Sequence, residues 1–270
     1  MLSALGLALL CPALAHADAI DYGTAGGTYA QNFDSLGTTT KAWANGTTLT
    51  GWHWLTSTGG TSFNNNVYPE DGDPAAGRVL SLGNNDGENA SDRAFGTQNS
   101  NGVEIVYFGA QLQNTTGGTL DSFTLAYIGE QWRAVGAEGQ DKLTFEYQIF
   151  ASGGSILGTT GWTNVAELDF NAPRTVGSST KLVGNDSANR ASITSTVSGI
   201  TWGAGQELWL RWSDENPVNN NAAGGSLRAM MGIDDLNFSA TTAIPEPGAS
   251  ALLLGALALG FTARRRSRRS

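Results

Sequence analysis

Cysteine is nearly absent: the single one, Cys11, lies in an apolar run near the start of the 270-residue chain. Leu2 to Leu14 is apolar and Ala15-His16-Ala17 follows, the small-x-small pattern of a signal peptidase site, so residues 1–17 read as a secretory signal peptide. The mature chain then begins near Asp18 and holds no cysteine, which excludes disulfides, thiol catalysis and cysteine-ligated zinc. Histidine is almost as scarce, with only His53 in the exported body. A Ser-His-Asp triad would have to use it, yet no G-x-S-x-G elbow accompanies it, and zinc sites usually need more nitrogen or sulfur ligands. Bases are few as well: residues 18–240 carry 10 bases against 23 acids, a net charge of −13. Such a surface repels phosphate backbones and speaks against a nucleic-acid partner.

Helical periodicity is also missing from the body, which alternates instead. In "LTFEYQIF" Leu143, Phe145, Tyr147 and Ile149 share one face, and Thr144, Glu146 and Gln148 the other, the period of a half-buried strand. "DSFTLAYIG" repeats the pattern at Phe123, Leu125 and Tyr127, and "QELWLRW" sets Leu208, Leu210 and Trp212 against Glu207, Trp209 and Arg211. Further strands are expected at "VEIVYFGAQLQ", "WTNVAELDF", "ASITSTVSGI" and "MGIDDLNFSA", between stretches rich in Gly, Asn, Ser and Thr where turns belong. The pattern predicts an all-β chain with a single antiparallel β-sandwich, a jelly roll, over residues 18–240. No repeat of fixed length is present to suggest a solenoid or propeller.

The remaining residues, 241–270, have a different character. Pro245-Glu246-Pro247 precedes an apolar segment, 249–263, and then a basic tail, 264–269, with Arg264, Arg265, Arg266, Arg268 and Arg269. The prolines favour an extended approach, the apolar segment can enter a bilayer as a hydrophobic helix, and the arginines resist translocation. About 15 apolar residues fall short of the roughly 20 of a comfortable span, which suits a transient membrane anchor. The three ordered elements resemble the PEP-CTERM sorting signal of Gram-negative bacteria. That resemblance implies an exported exosortase substrate, cut near Pro-Glu-Pro, with an inner-membrane intermediate and a destination at the cell surface or in the extracellular matrix.

"YAQNFDSLG" near the start and "MGIDDLNFSA" near the end resemble the first and last strands of carbohydrate-binding-module-like jelly rolls. The resemblance implies that these ends lie side by side, in some members around a structural calcium, and carries Asp34, Asp234 and Asp235 over as metal ligands. Calcium takes 6 to 8 oxygens, of which these would be a start; the same aspartates also suit turn caps.

Eight tryptophans divide between core and surface. Trp212 shares the apolar face of its strand, whereas Trp209 faces the other way, and Trp43, Trp52, Trp54 and Trp132 stand in or beside turn-rich sequence. Past the strand "FTLAY", Gly129 can bend the chain and present Trp132 with Glu130, Gln131 and Arg133 as a stacking platform for polysaccharide, although an indole serves equally as core. "RWSDEN" offers a similar mixture at Arg211, Asp214, Glu215 and Asn216. Two function classes fit. One is a non-catalytic, polysaccharide-binding surface or matrix protein; the other is an exported glycoside hydrolase or other hydrolase. For the hydrolase, "ELDFNA" nearly matches the E-x-D-x-x-E strand of one jelly-roll glycosidase family, with Glu167 and Asp169 on one face. Position 172 is Ala, so the second carboxyl of a retaining mechanism is missing.

Overall fold

The computed structural model describes residues 19–57, 64–73, 77–85, 87, 90–99, 103, 105–134, 140–175, 179–215 and 229–242. The predicted signal peptide, the Pro245–Pro247 motif, the apolar segment, the basic tail and Asn216 lie outside them. In chain order the strands are β1 (Ile20–Tyr22), β2 (Thr28–Gln31), β3 (Lys41–Ala42), β4 (Trp52–Thr56), β5 (Asn66–Glu70), β6 (Arg78–Leu82), β7 (Ala94–Gln98) and β8 (Ile105–Asn114). They continue with β9 (Leu120–Ala134), β10 (Lys142–Phe150), β11 (Thr163–Asn164), β12 (Phe170–Asn171), β13 (Thr180–Lys181), β14 (Arg190–Trp202), β15 (Glu207–Glu215) and β16 (Met230–Thr241).

Two sheets form. The seven-stranded sheet runs β1-β8-β15-β10-β11, with β4 also on β8 and β12 also on β10; the nine-stranded sheet runs β13-β9-β16-β7-β6-β5-β3, with β14 on β9 and β2 on β16. The long strands β8, β9, β10, β14, β15 and β16 alternate between the sheets, so each connection crosses the sandwich; each strand turns one face to the interior, and β15 is buried on both faces from Glu207 to Asp214. The pairing is not purely antiparallel as expected: β1 lies parallel to β8, and β5 to β6. β1 has three residues and lies far from β8 in sequence, and β5 and β6, of five residues each, are joined by more than a tight turn, so in neither pair does a hairpin impose antiparallel direction.

Alternation places the core. Trp212 on β15 stacks at 12° on Trp52 and packs against Phe108, Phe145 and, from the facing sheet, Tyr127 at 5.4 Å. Such aromatic pairs each add about 0.5–1.5 kcal/mol beyond their burial. Phe95 extends the group to Phe33 and Trp43. Tyr22 closes one end: its hydroxyl donates its one hydrogen to the Gly27 carbonyl (2.7 Å), lies 3.0 Å from the Ala240 carbonyl and accepts the Ala240 amide (2.7 Å).

A second apolar cluster lies outside the sandwich, where Leu80, Leu82, Ala94, Trp132 and Met230 pack with Tyr68. It exists because β9 is covered on both faces beyond Ile128. The segment 182–189 lies over its outer side, with the Leu182 amide on the Trp132 carbonyl and the Gln131 amide on the Asn189 carbonyl. At Gly184 a side chain would strike the Trp132 indole, so only glycine allows this approach.

Candidate functional site

The proposed platform at Trp132 is corrected by this cover. Trp132 is 0% exposed, and its Nε1 donates to Glu130 Oε2 at 2.8 Å. Gln131 exchanges hydrogen bonds with the backbone of Arg174 at 2.8 and 3.0 Å, and Arg133 donates to Ser179 Oγ and to the Gly72 carbonyl, both at 2.8 Å. The four side chains fasten loops to the nine-stranded sheet. Trp43, Trp52 and Trp54 are buried too.

Asp34 is brought near Asp235, the neighbour of Asp234, because β2 pairs with β16 at Gln31 and Leu236, beside the register shift between Asp234 and Asn237. Asp235 has φ 48° at that bulge. Asp34 is exposed and accepts the Arg93 amide at 3.1 Å and Asn32 Nδ2 at 2.7 Å. Burial, then the charges of Glu130, Asp235 and Asp92, push the Asp234 carboxyl far above the usual range, and burial with Asp92 and Asp235 pushes Glu130 up to about 7. Among the described residues, no group of three or more His, Cys, Asp or Glu side chains has a metal-holding arrangement. The described aspartates therefore do not form a calcium ligand set by themselves, and Asp34 serves the turn and the Arg93 amide.

The glycosidase-like segment also differs. "ELDFNA" is not a continuous strand: Ala166–Leu168 is a 3-10 turn and only Phe170–Asn171 pairs with β10. Glu167 is exposed, while Asp169 accepts the Phe145 amide at 2.8 Å and pairs with Lys142 Nζ at 3.0 Å. Asp169 is tied to β10 and Glu167 points elsewhere.

The outward face of the seven-stranded sheet assembles a cleft instead. The inward register Phe108↔Trp212↔Phe145 leaves Tyr107, Gln111, Glu146, Gln148, Glu207, Trp209 and Arg211 on the other side, with His53 from β4 beside them. His53 lies 4.8 Å from Trp209, ring centre to ring centre. The loop from Gly153 to Ile156 walls the opposite side of a cleft of about 240 Å³ floored by Gln111 and Trp209. At Gly154 a Cβ would fall 2.5 Å from Trp209 Nε1 and 2.6 Å from the Phe150 ring, so the wall can close only with glycine there.

Two ionised side chains of β15 hold this wall. Glu207 accepts the amides of Gly153 (2.8 Å) and Gly154 (3.0 Å), Trp209 Nε1 (2.9 Å) and the Gln111 side chain. Burial alone would raise its pKa, but these donors more than offset it and hold the carboxyl below its usual range. Arg211 donates to the carbonyls of Ile156 (2.7 Å) and Gly158 (2.8 Å) and to Glu146 Oε2 at 2.7 and 2.9 Å. Its guanidinium lies 4.3 Å from the Tyr107 ring centre and 3.7 Å from that of Trp162. Glu207 is therefore fully engaged and Glu146 is held through Oε2, while Glu215 at the far end of the same strand face is exposed; Trp209 is 3% exposed. The alternation in "QELWLRW" put Glu207, Trp209 and Arg211 on this face from sequence alone; the role of Gly153-Gly154 had no local signal.

No protein-family model and no curated protein matches the chain. Among solved structures it is similar to the enzymatically active domain of tailspike protein 4 of bacteriophage CBA120, at 8% identity and TM-score 0.38, over 70% of this chain and 19% of that one. It is also similar to TmCBM61, solved with β-1,4-galactotriose, at 10% identity and TM-score 0.32, over 70% of this chain and 88% of that one. A third is the CBM22-2 xylan-binding domain of Paenibacillus barcinonensis Xyn10C, at 13% identity and TM-score 0.35, over 79% and 99% of the two chains. The chain spans about a fifth of the tailspike's length.

Proposed function

We propose that this chain is an exported, exosortase-sorted surface or matrix protein whose jelly-roll body binds polysaccharide without cleaving it. The observation that carries the binding is the cleft between His53, Trp209 and the Gly153–Ile156 wall. It is a concave space in which the half-buried His53 ring lies beside the side chains of Gln111 and Ser155, polar groups for sugar hydroxyls, over a Trp209 that is itself 3% exposed. Export and sorting rest on the small-x-small site at Ala15–Ala17 and on the three ordered elements after Pro245. Processing by signal peptidase and exosortase follows from them.

Against the alternative of a glycoside hydrolase stands the state of the carboxylates. Glu207 and Glu146 are engaged by N–H donors or by Arg211, Glu215 on the same face does not line the cleft, and the raised pair, Glu130 and Asp234, is 2% and 3% exposed. A general acid has to reach the glycosidic oxygen.

Electrophoresis of the mature protein through gels containing a panel of neutral, acidic and amino polysaccharides tests the reading. Retardation by at least one polymer, without release of reducing ends, is the expected result. Free mobility in every gel would sink polysaccharide binding, and release of reducing ends would shift the reading to the hydrolase.

A further inference from the structure

The strand β14 is open along one edge, and we infer that a second copy of this chain pairs with it there, β14 against β14 and antiparallel. Among the described residues its one strand neighbour is β9, in register from Arg190↔Glu130 to Ser198↔Ser122. Proteins usually protect an edge by keeping it short or by placing lysine, proline or a bulge on it. β14 has 13 residues, no proline, no charge after Arg190 and no register shift before Ser198. Ile193 and Val197 point inward and pack on the core, yet both stay only half-buried, as an uncovered flank allows. The 3-10 turn at Ala166–Leu168 also packs against β14. Its Leu168 carbonyl, however, takes the inward Tyr127 hydroxyl at 2.6 Å, the Leu168 and Asp169 amides bond back into the turn, and its backbone forms no ladder with β14.

The sequence of the edge names its occupant. Residues 192–198 read Ser-Ile-Thr-Ser-Thr-Val-Ser, the same in both directions except that Ile193 answers to Val197. Two antiparallel copies related by a two-fold axis at Ser195 set Ser192 opposite Ser198, Ile193 opposite Val197 and Thr194 opposite Thr196. The axis stands normal to the sheet, so the β-branched apolar pairs meet on the inward side and the hydroxyl pairs on the outward side, both favourable across an antiparallel ladder. A two-fold contact demands this kind of self-complementarity, which an unrelated strand has no reason to match. The segment is also free of charge, although the body carries −13, so the two edges meet without like charges opposed. Residues 192–198 make a narrow contact beside the roughly 20–30 residues a side of a standard interface, and the dimer is accordingly weak. On the polysaccharide reading it has a use: both seven-stranded sheets lie on the same side of the shared sheet, so the two clefts face one way and one polymer can engage both.

Sedimentation equilibrium of the mature protein from about 5 to 500 μM, the range of a weak association, tests the pairing. The mass should climb from one chain toward two. Thr194→Lys with Thr196→Lys sets like charges opposite each other across the axis and should hold the mass at one chain throughout. Thr194→Lys with Thr196→Glu sets opposite charges there and should restore the dimer. Both side chains are exposed, and both double variants lose the same Thr124–Thr196 hydroxyl contact, so a difference between them reports the pairing and not the fold. Should either variant fail to melt cooperatively, hydrogen exchange on the native protein decides: amides of residues 192–198 should slow as concentration rises. A native protein that stays one chain at the top of the range overturns the inference and leaves the edge to another segment of its own chain or to nothing. A dimer that survives the paired lysines, or one that the lysine–glutamate variant fails to restore, overturns it as well, because the contact then lies elsewhere or in another register. Polysaccharide retention by a protein that stays a monomer would leave the binding reading standing without this one.

Discussion

Glu207 and Arg211 hold opposite backbone groups of the same loop: the carboxylate takes the amides of Gly153 and Gly154, and the guanidinium gives to the carbonyls of Ile156 and Gly158. Both project from the outward face of β15, so one strand fixes the wall of the cleft at two points. Arg211→Ala removes one point and strands Glu146 without its cation. Glu146 is 22% exposed at its side chain, so the loss of this part-buried, charge-assisted pair costs about 1.5–3 kcal/mol, to be read as a fall in the urea midpoint. Hydrogen exchange at the Gly153 and Gly154 amides should also quicken in Glu207→Ala. Unchanged exchange there would mean that the wall is held by something other than the carboxylate.

Trp132 belongs to the satellite cluster with Leu80, Leu82 and Met230. Trp132→Ala should cost about 3–5 kcal/mol by leaving a cavity and should leave retention on polysaccharide gels unchanged. Thermal melting and gel mobility on this one variant separate the two effects. A stable variant with lost retention would restore the ring as a platform.

Stability should fall as pH rises from mildly acidic to neutral. Glu130 has an unfolded value near 4.3 and sits at about 7 in the folded chain, so over that window the folded state keeps a proton that the unfolded chain has lost. Its contribution is complete below about pH 4 and disappears as pH passes about 7. Asp234 shifts in the same direction, and Asp92 and Asp235 add charge around the pair, opposed at Glu130 by Arg190. Urea midpoints measured from about pH 4.5 to 8 should decline, and Glu130→Gln should flatten the decline. A midpoint that climbs across this range would contradict the burial of these carboxyls.

Processing has its own test. Mass spectrometry of the protein recovered from a host that carries an exosortase should give an N-terminus near Asp18 and no Arg264–Arg269. An intact arginine tail on the extracellular species would mean that the apolar segment is not cut away.

The central strands were legible because their alternation is local: Phe123, Leu125 and Tyr127 bury one face of β9 whatever lies elsewhere. Trp132, five positions beyond Tyr127, was not, because its burial depends on residues 182–189, some fifty positions away, folding over the strand. Asp34 and Asp235 were brought together by the pairing of β2 with β16, as the matching end sequences suggested. Their hydrogen bonds and their distance from a ligand arrangement depend on side-chain angles, which no pattern of residue types encodes. The cleft was half legible: the outward side chains of β15 could be read, whereas the loop that encloses them is held by contacts 53 to 55 positions apart in the chain.

β16 is the last strand of the sandwich and lies inside its larger sheet, with β9 along one edge and β2 and β7 along the other. Until residues 230–241 are available, those neighbours have nothing to pair with across the gap, and Tyr22 lacks its partner at Ala240. A chain delivered from its N-terminus stays open through nearly its whole length and closes only when the final strand inserts. Such late, long-range closure makes folding slow. It also keeps the polypeptide extended for longer, an order of strands that would suit the export proposed above.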